Sequence, residues 1–271
     1  MSVRTLAAAL YRLASGVFLS SRRPCNIAMF HTGRCGSRVL GDSLKQHPKI
    51  VWEGELLSPG RLEGIASRWP LLTRDRMNIL RLRMLMAGQR CFGFETQPTQ
   101  VELLGKTLEQ YVSRLDELGF SRFVLLERKN HLRRIVSIML GHHTAKWHLS
   151  SSDSASLQPF ALDVERLCLN WGPDTKPSSL SSHLHRAEES VRELKATLSG
   201  HQLLCLTYKD DIAASPEVGY RRVCEFVGVA EHPVSVRFRK TNPFDLSDVL
   251  TNFAQVERVL AGTEFEWMLY S

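Results

Sequence analysis

Two stretches of this chain carry residues whose spacing suits the handling of an anion. In FHTGRCGSRVLG (30–41) an apolar run leads into a loop with Gly33 and Gly36, and a helical pattern follows. A strand, a glycine-bearing loop and a helix in that order put backbone N–H groups and a positive helix end beside a negative ligand. The glycines permit tight turning and close backbone approach. Arg34 and Arg38 add fixed positive charge around Cys35 and Gly36, and Ser37 offers a hydroxyl at the helix start. Neither G-x-x-x-x-G-K-[ST] nor G-x-G-x-x-G occurs, so the commonest nucleoside-triphosphatase and dinucleotide readings lose their main support. On spacing alone, the loop reads equally as a phosphate cradle or as a plain turn.

The second stretch, LLERKNHLRRIVS (125–137), again leaves a strand and enters a helix. A basic residue at the strand end, Arg128 or Lys129, and Ser137 about two helical turns later could clamp a second phosphate. Taken alone, a solvated basic face explains it better. Arg128 is preferred to Lys129, because a guanidinium grips phosphate with two donors at once.

These residues need a scaffold, and the pattern of apolar runs supplies one. Strands are expected at 26–32, around Ile50, at 91–95, at 122–127 and over 202–208. Helices are expected from the phosphate loop to His47, over 61–89, 101–119, 130–148 and 183–199, from Pro216 to Gly228, and from Ser247 to about Gly262. The polar stretches 149–158 and 172–182 read as loops. Strand–helix alternation predicts an α/β, three-layer fold with a mainly parallel central sheet flanked by helices, in one domain spanning 26–271.

Together the two stretches resemble the sulfotransferases that use 3′-phosphoadenosine-5′-phosphosulfate. TGRCGS is similar to that family's 5′-phosphosulfate loop, and RKNHLRRIVS to its 3′-phosphate motif. VRFRKTNPFDLSDVLTNF and GTEFEWML are similar to tails of bacterial-type and carbohydrate sulfotransferases. The resemblance runs from about residue 26 to the end. It departs at Arg38, where the family often has Ser or Thr, and at Gln97, where it often has Lys.

The resemblance implies a P-loop-like enzyme moving a sulfuryl group from that donor to a hydroxyl of a glycan, glycolipid or small molecule, without a metal. Gly33, Arg34, Cys35, Gly36, Ser37 and Arg38 would hold the 5′ side, with Arg34 neutralising the leaving oxygen. Arg128 and Ser137 would hold the 3′-phosphate, and Lys240 and Thr241 would close over the nucleotide. The acceptor hydroxyl needs a general base. Glu55 in the Gly54-Glu55 pair is favoured, with Glu53 and His31 as alternatives, and Glu95 would line the acceptor pocket. An ATP-dependent P-loop-like kinase and a non-catalytic anion-binding module are the competing readings.

Composition sets outer bounds. Hydrophobic residues make up 43% and charged residues 23% of 271, as in ordinary globular proteins. Lys and Arg exceed Asp and Glu by 35 to 28, a balance that suits an anionic ligand. The five Trp are scattered and form no stacking platform, so no nucleic-acid groove is read. His143 and His148 are five apart and share no helix face, which argues against a metal pair there. Six cysteines without a C-x-x-C pair read as buried free thiols in a reducing compartment. The first 25 residues form a basic amphipathic segment, of which 1–23 could lie on a membrane surface. The expected location is cytoplasmic, with peripheral membrane contact as an option.

Overall fold

The computed structural model describes residues 23–67, 75–169 and 176–271. The expected segment 1–23 lies outside them except for its last residue. Arg23 donates to the Asn26 side chain at 3.0 Å and to the Gly88 carbonyl at 3.1 and 3.2 Å. The folded unit therefore already includes residues 23–25.

A five-stranded sheet forms the centre, ordered β2-β3-β1-β4-β6, and every pairing is parallel. Its strands are β1 (Asn26–His31), β2 (Ile50–Trp52), β3 (Cys91–Thr96), β4 (Arg122–Glu127) and β6 (Gln202–Thr207). Strands β1 and β3 are buried along their whole length, as a sheet covered on both faces requires. Alternate side chains serve opposite layers. Ile27, Met29, Val124 and Leu126 pack with Leu40, Leu44, Tyr220 and Val223. Ala28, Phe30, Phe123 and Leu125 pack with Tyr111, Leu115, Leu194 and Leu198. The first layer holds helices α1 (Ser37–Gln46) and α8 (Pro216–Val227). The second holds α5 (Leu108–Glu117) and α7 (Leu180–Leu198). The expected α/β layered fold is thus the observed one.

The remaining elements are α2 (Pro59–Ala66), α3 (Met77–Ala87), α4 (Pro98–Leu103), α6 (His131–Thr144), the short antiparallel pair β5 (Leu149–Ser150) and β7 (Phe238–Arg239), α9 (Leu246–Val249) and α10 (Phe253–Leu260). A π-helical turn, Tyr208–Ala213, follows β6. Among the described residues no helix is long and apolar enough to cross a membrane.

Several boundaries differ from the sequence reading, each for a local reason. The helix expected over 101–119 is two helices. Gly105 takes a left-handed φ of 67°, and Thr107 opens α5 with a capping box to Gln110. The expected 61–89 helix ends at Ala66 and resumes at Met77. The 130–148 helix stops at Thr144 because Ala145 turns left-handed, which frees Leu149 and Ser150 to pair with β7. Helix α7 starts at Leu180, capped by Ser179, inside the stretch read as loop. The last helix is broken after Val249, where residues 249–251 bridge to Phe160 through two backbone hydrogen bonds. Of the six thiols, Cys205 is exposed and Cys168 half-buried, which corrects the expectation that all are buried. Cys205 faces outward because β6 is an edge strand.

Candidate active site

In an open parallel sheet, ligands bind beyond the carboxyl ends of the strands. Here β1 ends at His31 and delivers the loop 32–36. Gly33, Arg34 and Gly36 all have positive φ, at 74°, 53° and 87°. Tight turns that combine left- and right-handed residues in this way can converge backbone N–H groups into anion-binding concavities. Arg34 adopts this backbone without being glycine, a cost that clusters at functional sites. Gly36 has no alternative. A Cβ there would lie 2.6 Å from Ile212 Cγ2, in the π-helical turn that closes over the loop.

A cavity of about 400 Å³ opens beside this loop. Gly33, Arg34, Gly36, Ser37, Arg38, Arg128, Ser137, Lys240 and Thr241 all line it, so most residues singled out from the sequence meet in one place. Glu55 and His31 line it too. Cys35 does not; it is buried under the loop, and burial pushes its thiol up to about 11. Lys129 is exposed and does not line the cavity, whereas Arg128 does.

Arg34 runs differently from the sequence expectation. Its guanidinium donates to Ser137 Oγ at 2.9 Å, to Thr241 Oγ1 at 2.7 Å and to the Trp147 carbonyl at 2.6 Å. It therefore reaches the residues assigned to the 3′-phosphate and the late loop. Arg128 lies 4.5 Å over the Tyr208 ring and donates to the Arg34 carbonyl at 3.4 Å. Arg134 sits behind both and donates to the Thr32 carbonyl at 2.7 Å. Burial lowers all three arginines, Arg34 and Arg134 to about 10, and the charge of Arg128 adds to the effect on the other two. Among the described residues none of the three has a carboxylate partner. Three crowded, desolvated guanidinium groups without a counter-charge make a site that gains by binding an anion.

A second cavity, of about 360 Å³, shares Ser37, Arg38, Glu55, His148 and Phe238 with the first. Lys45, Glu53, Arg61 and Glu95 lie on its wall. The two base candidates in VWEGELL part company here. Glu53 is held by Arg61 at 2.6 Å and faces Arg83 at 3.6 Å, so it is a structural ion-pair acid. Glu55 stands at the junction of the cavities, where Gln97 and Gln100 donate to its two oxygens at 3.1 and 2.6 Å. Gln97, where the resembled family often has Lys, therefore orients the candidate base.

His31 is buried, and its Nδ1 accepts the Gly33 N–H at 3.2 Å. Burial lowers its pKa, so the ring is neutral and carries its proton on Nε2. That nitrogen has no hydrogen-bond partner and stands 3.6 Å from both Glu55 Oε1 and Glu95 Oε2. The three groups lie within 4.8 Å of one another, a spacing that would also admit a divalent ion. The ring orientation argues against that use, because the nitrogen an ion would need bears the proton. The same orientation makes His31 a donor in this site and leaves Glu55 as the candidate base.

Trp147, His148, Tyr208 and Phe238, which also line the cleft, and Gln100, which holds Glu55, carry no signal in the sequence that marks them for the site. Tyr208 and Phe238 carried no spacing signal. They reach the cavity through the π-helical turn and the β5–β7 pair, neither of which was foreseen. His148 is held neutral, its pKa lowered to about 4 by burial and by Arg38 and Arg34.

No protein-family model and no curated protein sequence matches this chain.

Proposed function

We propose that this protein is a sulfotransferase that takes a sulfuryl group from 3′-phosphoadenosine-5′-phosphosulfate and passes it to an acceptor hydroxyl, with a polyhydroxylated molecule such as a glycan or glycolipid headgroup as the acceptor. One observation carries the reading: Arg34 and Arg128, unpaired with any described acid, meet Ser137 and Thr241 in a single cleft beside the left-handed loop. Two strand–loop–helix crossings supply cationic and hydroxyl donors to one ligand, which suits a nucleotide with anionic groups at both the 5′ and 3′ positions.

Sulfuryl transfer resembles phosphoryl transfer, in that positioning and charge stabilisation do most of the work. The acceptor oxygen attacks sulfur as the bond to the 5′-phosphate oxygen breaks. Loop N–H groups and Ser37 stabilise the leaving phosphate. Arg128, Ser137 and Arg34 hold the 3′-phosphate. Glu55 takes the hydroxyl proton. The polar second cavity, with Lys45 and Arg61 on its wall, suits a hydrated acceptor better than a flat apolar one.

The test is transfer from ³⁵S-labelled donor to a panel of glycans, with γ-³²P-labelled ATP run in parallel. Sulfate incorporation that falls at least a hundredfold in Glu55→Gln, with donor binding retained, is the expected result. Phosphate transfer instead, or nucleotide binding without turnover on any acceptor, would favour the kinase or the non-catalytic module.

A further inference from the structure

We propose that Glu95 and His31 act on Glu55 as one proton-sharing group, in which Glu95 is a positioning residue that sets the proton affinity of the base. This deepens the sulfotransferase reading and rests on it for its catalytic consequence, though not for the coupling itself.

The geometry carries the proposal. His31 Nε2–H stands midway between the two carboxyl groups, 3.6 Å from each, with its other nitrogen fixed by Gly33. At that distance it bonds fully to neither. A small shift lets it serve whichever oxygen holds more charge. Glu95 is fixed where it stands: Trp52 Nε1 donates to its Oε1 at 2.8 Å. Helix α1 is cut away to admit it, since a Cβ on Gly41 would lie 2.3 Å from that oxygen. A buried carboxyl group held this carefully, yet facing a second carboxylate, is a costly arrangement for structure alone.

Around Glu95 stand His31 from β1, Trp52 from β2, Ser37 and Lys45 from α1, and Glu55 from the loop after β2. Around Glu55 stand Gln97, Gln100, His31 and His148. Burial is the main force raising Glu95 to about 7, and the nearby Glu55 charge adds to it. Two like charges this close resist ionising together, so Glu95 keeps its proton until the pH reaches about 7. As pH rises through 7, Glu95 ionises and sets a second negative charge beside the Glu55 carboxylate and the His31 N–H. In the reaction, the acceptor O–H bond breaks, its proton goes to Glu55, the oxygen gains the sulfuryl group, and the bisphosphate departs with the electrons of the broken S–O bond.

The experiment follows carboxyl protonation in the full chain by infrared difference spectroscopy across pH 5–9, without any substrate. A buried carboxyl titrating near pH 7 should vanish in Glu95→Gln and move to lower pH in Glu55→Gln. Absence of that band in the wild type, or a band unmoved in Glu55→Gln, would overturn the coupling. Kinetics adds the catalytic half. Turnover should rise through pH 7 in the wild type. Glu95→Gln should lose that limb and roughly tenfold or more of kcat, with KM for the donor unchanged. An unaltered pH profile in Glu95→Gln would remove Glu95 from the mechanism. A wild type that shows the infrared coupling but transfers no sulfate would count against the sulfotransferase reading alone.

Discussion

At the scale of single residues, the cleft is marked by arginines without a carboxylate partner among the described residues and by a buried carboxyl group, Glu95. Ser137→Ala removes the hydroxyl that receives Arg34 and should weaken 3′,5′-bisphosphate binding by about 1.5–3 kcal/mol, the worth of a hydrogen bond to a charged group. Calorimetric titration checks it, with thermal melting to confirm the fold. Glu95 gives a stability prediction of definite sign. Its folded pKa is raised above the unfolded carboxylate value to about 7, so the folded protein binds the extra proton between those values. Stability is therefore fullest below the unfolded value and falls as pH rises through 7, by on the order of 3 kcal/mol. Glu95→Gln should flatten that slope in urea melts taken from pH 5 to 8. Part of this scale is legible in the sequence: type and spacing single out Gly33, Arg34, Gly36 and Ser37, the resemblance adds Arg128 and Ser137, and all six line one cavity. What spacing could not show was direction. Arg34 points across the cleft to Ser137 because its own backbone is left-handed, and nothing in the letters announces that.

At the scale of elements, the loop works because the π-helical turn closes on it without room to spare. Gly36→Ala meets both a 2.6 Å contact with Ile212 and a φ of 87° that alanine disfavours. It should cost at least about 1–3 kcal/mol of stability and abolish nucleotide binding, as read by melting with and without ligand. Thr107→Ala, far from the cleft, is the contrast. It loses the α5 capping box and about 1 kcal/mol, with ligand binding untouched. Buried strands are the easiest elements to read, because β1, β3 and β4 each carry a short apolar run, IAMF, CFGF and FVLL. Helix ends were harder. The breaks at Gly105 and Ala145 and the interruption after Val249 are set by caps and by a bridge to Phe160, a contact ninety residues distant along the chain. The short β5–β7 pair has no periodicity to display, and so Phe238 was missed with it.

At the scale of the whole molecule, a parallel sheet gathers distant stretches at one edge. The loop after β1, Arg128 beyond β4 with Ser137 in α6, and the segment at Lys240 and Thr241 are far apart in sequence and line one cavity. Strand–helix alternation made that layered fold readable, while the cavity's shape arises from packing that no single segment encodes. The excess of basic residues fits an anionic ligand, and binding should weaken as salt screens it. The most direct measurement is calorimetric titration with 3′-phosphoadenosine 5′-phosphate against adenosine 5′-monophosphate, in the wild type and in Arg128→Ala. The bisphosphate should bind at least about tenfold more tightly, the worth of one charge-assisted contact, with that preference lost in the variant. Equal affinity for the two nucleotides in the wild type would contradict it.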